Sequence, residues 1–161
     1  MSAGDDSASP LAVNHSLDPL APRFRLAVEN ALQACADAKL DAKVYETFRS
    51  DQLQVHYYAK GRTIPNTTIV TNAPNNLFSW HGYGLAVDVI SASKGWAAGE
   101  AWFEAVAAVF KQYGLRWGGD WTTRDLPHFQ WGPCKPSPSD RARALMATGG
   151  VQAVWHAVNA D

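Results

Sequence analysis

Two short stretches hold most of the residues able to do chemistry. In SWHGYGLAVDVI, residues 79–90, His81 and Asp88 stand seven apart, and Asp88 lies inside an otherwise apolar run. An unpaired carboxylate is costly to bury, so Asp88 either meets a positive partner or belongs to a segment that is not a core strand. Fully extended, seven residues span roughly 24 Å. His81 and Asp88 therefore share an ion only if the chain doubles back, and Gly82 and Gly84 supply backbone permissive enough for that bend. A buried Asp–Arg pair or an exposed strand edge would also account for this stretch taken alone.

The second stretch is RDLPHFQW, residues 124–131, where Asp125 and His128 stand three apart across Pro127. The proline biases Leu126 to an extended conformation, which puts His128 at the start of a short strand. A lone histidine beside Phe129 and Trp131 is commonly a hydrogen-bonded core residue. Combined, however, His81, Asp88 and His128 make a two-histidine, one-carboxylate set. That set suits Zn²⁺ with one coordination position left for water. Asp125 is the spare carboxylate, placed where a general base could stand to take a proton from a water whose pKa the metal lowers toward about 7. A buried polar cluster without zinc is the alternative for the same residues.

A cation completes the constellation. KVYETFR, residues 43–49, alternates and is rich in β-formers, so it is expected as a strand with Tyr45, Thr47 and Arg49 on one face. The planar fork of Arg49 can hold a peptide carboxylate or polarise a scissile carbonyl. A salt bridge to Asp88 or Asp51 is its alternative use. Ser79 is placed either to hydrogen-bond a substrate or to cap the turn before His81.

The stretch Ser79-x-His81-(x)6-Asp88 with Gly84 and Ala86, followed by Asp125-x-x-His128, resembles the zinc signature of the LAS peptidases. These are D-Ala-D-Ala carboxypeptidases and dipeptidases, together with L-alanyl-D-glutamate endopeptidases of phage endolysins; the hedgehog signalling domain shares the zinc-bearing fold. Upstream, YETFRSDQLQVHYYAKGRT resembles the family's strand-then-helix segment, with its arginine at Arg49. The resemblance covers roughly residues 18–135, and an aspartate three before the last histidine matches the endopeptidase branch. It implies a zinc peptidase in which His81, Asp88 and His128 bind the metal, Asp125 is the base, and Arg49 and Ser79 meet the substrate. The implied substrate is the peptidoglycan stem peptide, cut between L-alanine and D-glutamate. A D-alanyl-D-alanine carboxypeptidase or dipeptidase is the neighbouring alternative, and a hedgehog-like zinc-binding module without turnover a more distant one.

The elements that must position these residues are legible in part. From Asp18 the pattern turns helical, with Phe24, Leu26, Ala27, Ala31, Leu32 and Cys35 at helical spacing. Asp51 and Gln54 have the spacing of a capping box for a helix reaching about Lys60, where Gly61 ends it. Residues 62–78 read as a long surface loop. Gly84 to Ile90 is expected as a strand, with Ala86, Asp88 and Ile90 on one face. Ala101 to Tyr113 forms an amphipathic helix closed by Gly114. Residues 115–117 and 128–131 make short strands. Ser139 caps a last helix, and Gly149-Gly150 separates it from a final turn around Val151–Val158. The fold class is α+β, a small antiparallel sheet flanked by helices, which the resemblance makes hedgehog/DD-peptidase-like.

Bulk properties bound the rest. A chain of 161 residues fits one domain, expected over 18–161 behind a flexible lead-in at 1–17. A net charge of -1 argues against a nucleic-acid or anionic-membrane partner. Two cysteines are too few for a disulfide scaffold; Cys35 reads as a small core residue, and Cys134 as a free thiol, half a bridge or a metal ligand. The polar, acidic MSAGDDSASP does not read as a signal peptide. The expectation is a monomer made in the host cytoplasm, without membrane insertion, that acts on the wall after release, as a phage lysin does.

Overall fold

The computed structural model describes residues 9–161. Four strands, β1 (Ala42–Glu46), β2 (Ala86–Ser91), β3 (Leu115–Trp117) and β4 (His128–Trp131), form an antiparallel sheet in the order β1-β2-β4-β3. The helices are α1 (Pro22–Asp37), α2 (Asp51–Ala59), α3 (Glu100–Gln112) and α4 (Asp140–Ala157), the last interrupted by Gly150 in a non-helical conformation. No described helix is long and apolar enough to cross a membrane.

One face of the sheet is the core. Phe24, Val28, Ala31 and Cys35 recur at intervals of three and four along α1, and Phe103, Val106, Ala107 and Phe110 do so along α3; all are buried. Phe110 packs on Phe129 of β4 with ring centroids 4.4 Å apart, and Val87 stands opposite Phe129 in the ladder. Burying each such phenylalanine stabilises the fold by roughly 1.5–3 kcal/mol. Gly114, with φ of 79°, closes α3 in the left-handed conformation that glycine adopts without penalty. The turn leads directly into β3.

The opposite face carries the polar residues. In an antiparallel ladder, residues directly opposite one another project to the same side. Glu46 of β1 pairs with Asp88 of β2, and Asp88 pairs with His128 of β4. Three strands thus set Glu46, Asp88 and His128 in one row.

Three local expectations shift. The strand expected over 43–49 ends at Glu46, because a bulge after Val44 turns the chain out of the sheet, and Thr47 N–H then donates to Asn14 O at 2.8 Å. Residues 10–17 of the expected lead-in accordingly run beside this segment, with Ser50 Oγ donating to Pro10 O at 2.8 Å; residues 1–8 lie outside the described part. The expected strand from Gly84 begins at Ala86, since Gly84 takes a left-handed φ of 66° and Leu85 N–H donates back to Trp80 O at 3.1 Å. Finally, Ser50, not Asp51, caps α2, its Oγ accepting from Leu53 N–H at 3.1 Å. Asp51 instead accepts from Asn76 N–H at 3.1 Å, tying the long loop to the helix.

The tryptophans pin the segments around the polar face. Trp80 Nε1 donates to Lys135 O, Trp117 Nε1 to Leu126 O, Trp131 Nε1 to Val158 O and Trp155 Nε1 to Tyr83 O, each at 2.7 Å. An indole offers a large apolar body and one donor, so each of these can pack in the interior and hold a loop carbonyl at once.

Candidate metal centre and cleft

His81 sits on a short 3-10 turn, Trp80–Tyr83, that delivers it beside β2. The bend is tight for a steric reason: a Cβ on Gly82 would lie 2.2 Å from Asn76 O, and one on Gly84 2.6 Å from Pro19 O. Ser79 caps this turn, its Oγ accepting from His81 N–H at 3.3 Å, and also lines the cleft.

The outer nitrogens fix both histidine tautomers. His81 Nδ1 lies 2.9 Å from Thr47 O; a carbonyl only accepts, so Nδ1 carries the proton. His128 Nε2 lies 2.9 Å from Gln130 Oε1. The amide nitrogen of Gln130 donates to Lys135 O at 2.7 Å and Cys134 O at 3.3 Å, which leaves Oε1 as the acceptor for His128. The free lone pairs are then on His81 Nε2 and His128 Nδ1, and both point at Asp88 Oδ1, at 3.4 and 3.8 Å. Two imidazole nitrogens and a carboxylate converging in this way make a donor set that could hold a cation. The donor atoms all lie within 4.8 Å of one another. Two ligands on a tetrahedral zinc ion stand about 3.3 Å apart, so the donor set fits that metal.

Electrostatics agree with the donor set. Burial and the neighbouring His81 push His128 down to about 4, so its ring is neutral at physiological pH. Burial works to raise Asp88, but the cationic and hydrogen-bonding groups around it, Arg49 among them, hold it well below the usual carboxylate range. It is therefore an anion where an anion is needed.

Asp125 stands at the mouth of the centre, its Oδ2 3.9 Å from His128 Nδ1 and its side chain half exposed. Partial loss of solvent inside the cleft, reinforced by the charge of Asp88, pushes it up from the ordinary carboxylate value to about 6. Gly118 permits this placement: Asp125 N–H donates to Gly118 O at 2.9 Å, and a Cβ on Gly118 would sit 2.5 Å from Asp125 O. The structure thus brings all four residues of the two motifs together.

Arg49 is also at the site, though not at the end of a strand face as alternation implied. Its backbone N–H donates to His81 O at 3.1 Å. The guanidinium pairs with Glu46, donates from Nη1 to Gln54 Oε1 at 2.8 Å, and has Nη2 3.8 Å from Asp88 Oδ2. Tyr57 supports the arrangement, with its hydroxyl donating to Glu46 Oε2 at 3.1 Å and its ring 4.8 Å from the guanidinium carbon. Sequence reasoning missed Glu46 and Tyr57, and took Gln54 for a capping residue. Gln54 is fully buried and spans Arg49 and Ala73 O. A buried acid flanking a β-bulge leaves no local signal; only its register with Asp88 reveals it.

The centre opens into a cleft of about 610 Å³. Trp121, tilted against His128 with ring centroids 4.9 Å apart, lies on one side, and residues 70–73 of the long loop form another wall. Arg62 braces that loop by donating to Tyr58 O and Thr71 O at 2.7 and 3.0 Å. Cys134 and Cys35 are free, buried thiols. His156 pairs with Asp161 at 2.8 Å on the surface, and His15 rests on Tyr45. Among the described residues, His81, Asp88 and His128 are the one group whose ligand atoms gather this closely.

Comparison with known proteins follows the same residues. A family model described as D-alanyl-D-alanine carboxypeptidase matches residues 72–131, from the loop wall through β4. The chain is 35% identical to the peptidoglycan L-alanyl-D-glutamate endopeptidase CwlK of Bacillus subtilis (strain 168), over 65% of this chain and 69% of that protein. Its fold is similar to that of the Serratia marcescens L-Ala D-Glu endopeptidase ChiX, with a TM-score of 0.57 at 24% identity, over 71% of this chain and 82% of that one.

Proposed function

Because this chain belongs to the LAS family of zinc peptidases, we propose that it hydrolyses the L-alanyl–D-glutamate bond of peptidoglycan stem peptides. In this reading His81, Asp88 and His128 hold zinc, Asp125 is the general base, and Arg49 and Ser79 face the substrate. Zinc, when bound, supplies a Lewis acid for the scissile carbonyl and a lowered pKa for water. The observation that carries the reading is the convergence of two imidazole lone pairs on Asp88 Oδ1, with the Asp125 carboxylate 3.9 Å from one of them.

The side chains divide the work. Asp125, its carboxylate 3.9 Å from His128 Nδ1 at the mouth of the centre, is placed to take a proton from the attacking water. It returns that proton to the leaving amine of D-glutamate. Arg49, held by Glu46 and Gln54, offsets negative charge developing on the carbonyl oxygen of L-alanine. Gln130 and the Thr47 carbonyl keep the two imidazoles turned toward the metal position. Monomeric action and a lysis setting, with the enzyme reaching the wall after release, go with this reading.

Similarity to CwlK supports the choice of bond, whereas the description of the family model points to the rival, a D-alanyl-D-alanine carboxypeptidase. Digesting purified peptidoglycan and identifying the products by mass spectrometry separates the two. New D-glutamate amino termini with free L-alanine carboxyls are expected. Release of D-alanine, with the Ala–Glu bond left whole, would overturn the assignment.

A further inference from the structure

Trp96 is 52% exposed although it is among the largest apolar residues in the chain. Its ring is fixed, not adrift: it meets Tyr45 edge-on at 4.9 Å, and Tyr45 meets His15 edge-on at 5.4 Å. The turn that presents it is built for rigidity. Ser91 and Gly95 exchange backbone hydrogen bonds at 3.3 and 2.8 Å, and the Asp41 carboxylate accepts from Ser91 Oγ, Ser93 N–H and Trp102 Nε1 at 2.8, 2.8 and 3.1 Å. Both Trp96 and Tyr45 line the same cleft as Asp88, Asp125 and His128. A half-exposed indole held this firmly at the rim of a catalytic cleft is a contact surface for something apolar and flat.

The chemistry of the substrate says what that is, and this step rests on the reading under Proposed function. In peptidoglycan the amine of L-alanine is acylated by the lactyl group of a sugar in the glycan strand. The scissile carbonyl belongs to that same alanine, so the sugar is only about two residue lengths, roughly 7 Å, from the reacting carbon. Tyr45 is the residue before Glu46, the cross-strand partner of Asp88, so the platform begins one residue from the metal row. We propose that Trp96, braced by Tyr45, is a saccharide-stacking subsite that receives the sugar carrying the stem peptide. An indole with two torsions already fixed gives a large contact area at little entropic cost. The enzyme would thereby favour stem peptides still attached to glycan over free peptides.

The test uses two synthetic substrates with the same stem peptide, one acylated by N-acetylmuramic acid and one by a plain acetyl group. Purified zinc-loaded enzyme should cut the sugar-bearing substrate with a kcat/KM about 10-fold higher, the scale of one good aromatic contact. In Trp96→Ala this ratio should fall to near one, and Trp96→Phe should keep part of it. A ratio near one in the wild type overturns the subsite. So does an unchanged ratio in Trp96→Ala, the outcome expected if Trp96 contacts the peptide or nothing at all. Should the wild type leave the Ala–Glu bond whole in both substrates, the functional reading fails and the subsite with it. Cleavage at that bond without sugar preference removes the subsite alone.

Discussion

His128 faces Asp88 directly across the β2–β4 ladder, with its Nδ1 3.8 Å from Asp88 Oδ1 and its Nε2 turned away to Gln130. One imidazole of the cluster is therefore oriented by a backbone register, and its tautomer by a buried amide. That pairing explains how a carboxylate survives in the middle of an apolar strand.

Separating binding from chemistry is the first expectation. Asp125→Ala should keep stoichiometric zinc, since the donor set lacks Asp125, while peptidoglycan hydrolysis falls about 10²–10⁴-fold. His81→Ala should lose the metal itself. Metal analysis of both purified variants alongside a wall-digestion assay decides this, and full activity in Asp125→Ala would remove it from the role of base.

Gln130 is 0% exposed and does not itself line the cleft, yet it holds His128 in its tautomer. Gln130→Leu should weaken zinc binding about 10–100-fold, the usual effect of losing a hydrogen bond behind a ligand. Titration against a competing chelator measures the change. Unaltered affinity would mean that packing alone orients the ring.

Glu46 and Arg49 form a buried pair, with side chains 2% and 11% exposed. Removing one member of a buried pair costs about 3–5 kcal/mol when the other is left unmatched, and here Asp88, 3.8 Å from Arg49 Nη2, offsets part of that cost. Glu46→Ala should lower the urea midpoint accordingly and impair catalysis by freeing Arg49. Stability within about 1 kcal/mol of wild type would show that solvent reaches Arg49 easily.

The thiols supply a pH expectation. Burial pushes Cys35 up to about 11 and Cys134 up to about 12. Native protein at pH 8 should resist iodoacetamide at both positions and react once unfolded, as peptide mapping would reveal. The sign for stability follows: below the ordinary thiol value of 9.0 neither state ionises, and above it only the unfolded chain does. Stability should thus decline as pH rises from about 9 toward 11.

Much of the scaffold was readable because its signals are local. The apolar stripes of α1 and α3 repeat within a few residues, the Gly114 stop follows its helix directly, and Ser139 caps α4 as expected, accepting from Ala142 N–H at 3.1 Å. Gly150 breaks α4 where the glycine pair implied. The errors arose where a neighbour along the chain competed with a partner far away. Asp51 and Gln54 have the spacing of a capping box, but a serine one position earlier takes the cap and Gln54 is drawn inward by Arg49. The strand through Thr47 looked continuous, but Asn14 bonds that residue instead.

The candidate site divides along the same line. Residue types and spacing by themselves determined the donor chemistry: two imidazoles, one carboxylate out of place in an apolar strand, a spare acid and glycines for the bend. Tertiary structure alone decided which nitrogen of each histidine is free, that Arg49 is shared between Glu46 and Asp88, and that Trp96 stands on the rim of the same cleft. The physical reason is distance along the chain. Thr47 and His81 are 34 residues apart and still hydrogen-bonded, and the row Glu46–Asp88–His128 exists only once three strands have paired. Side-chain chemistry is written at each position, whereas the direction of a lone pair is settled by whatever the fold brings against the other side of the ring.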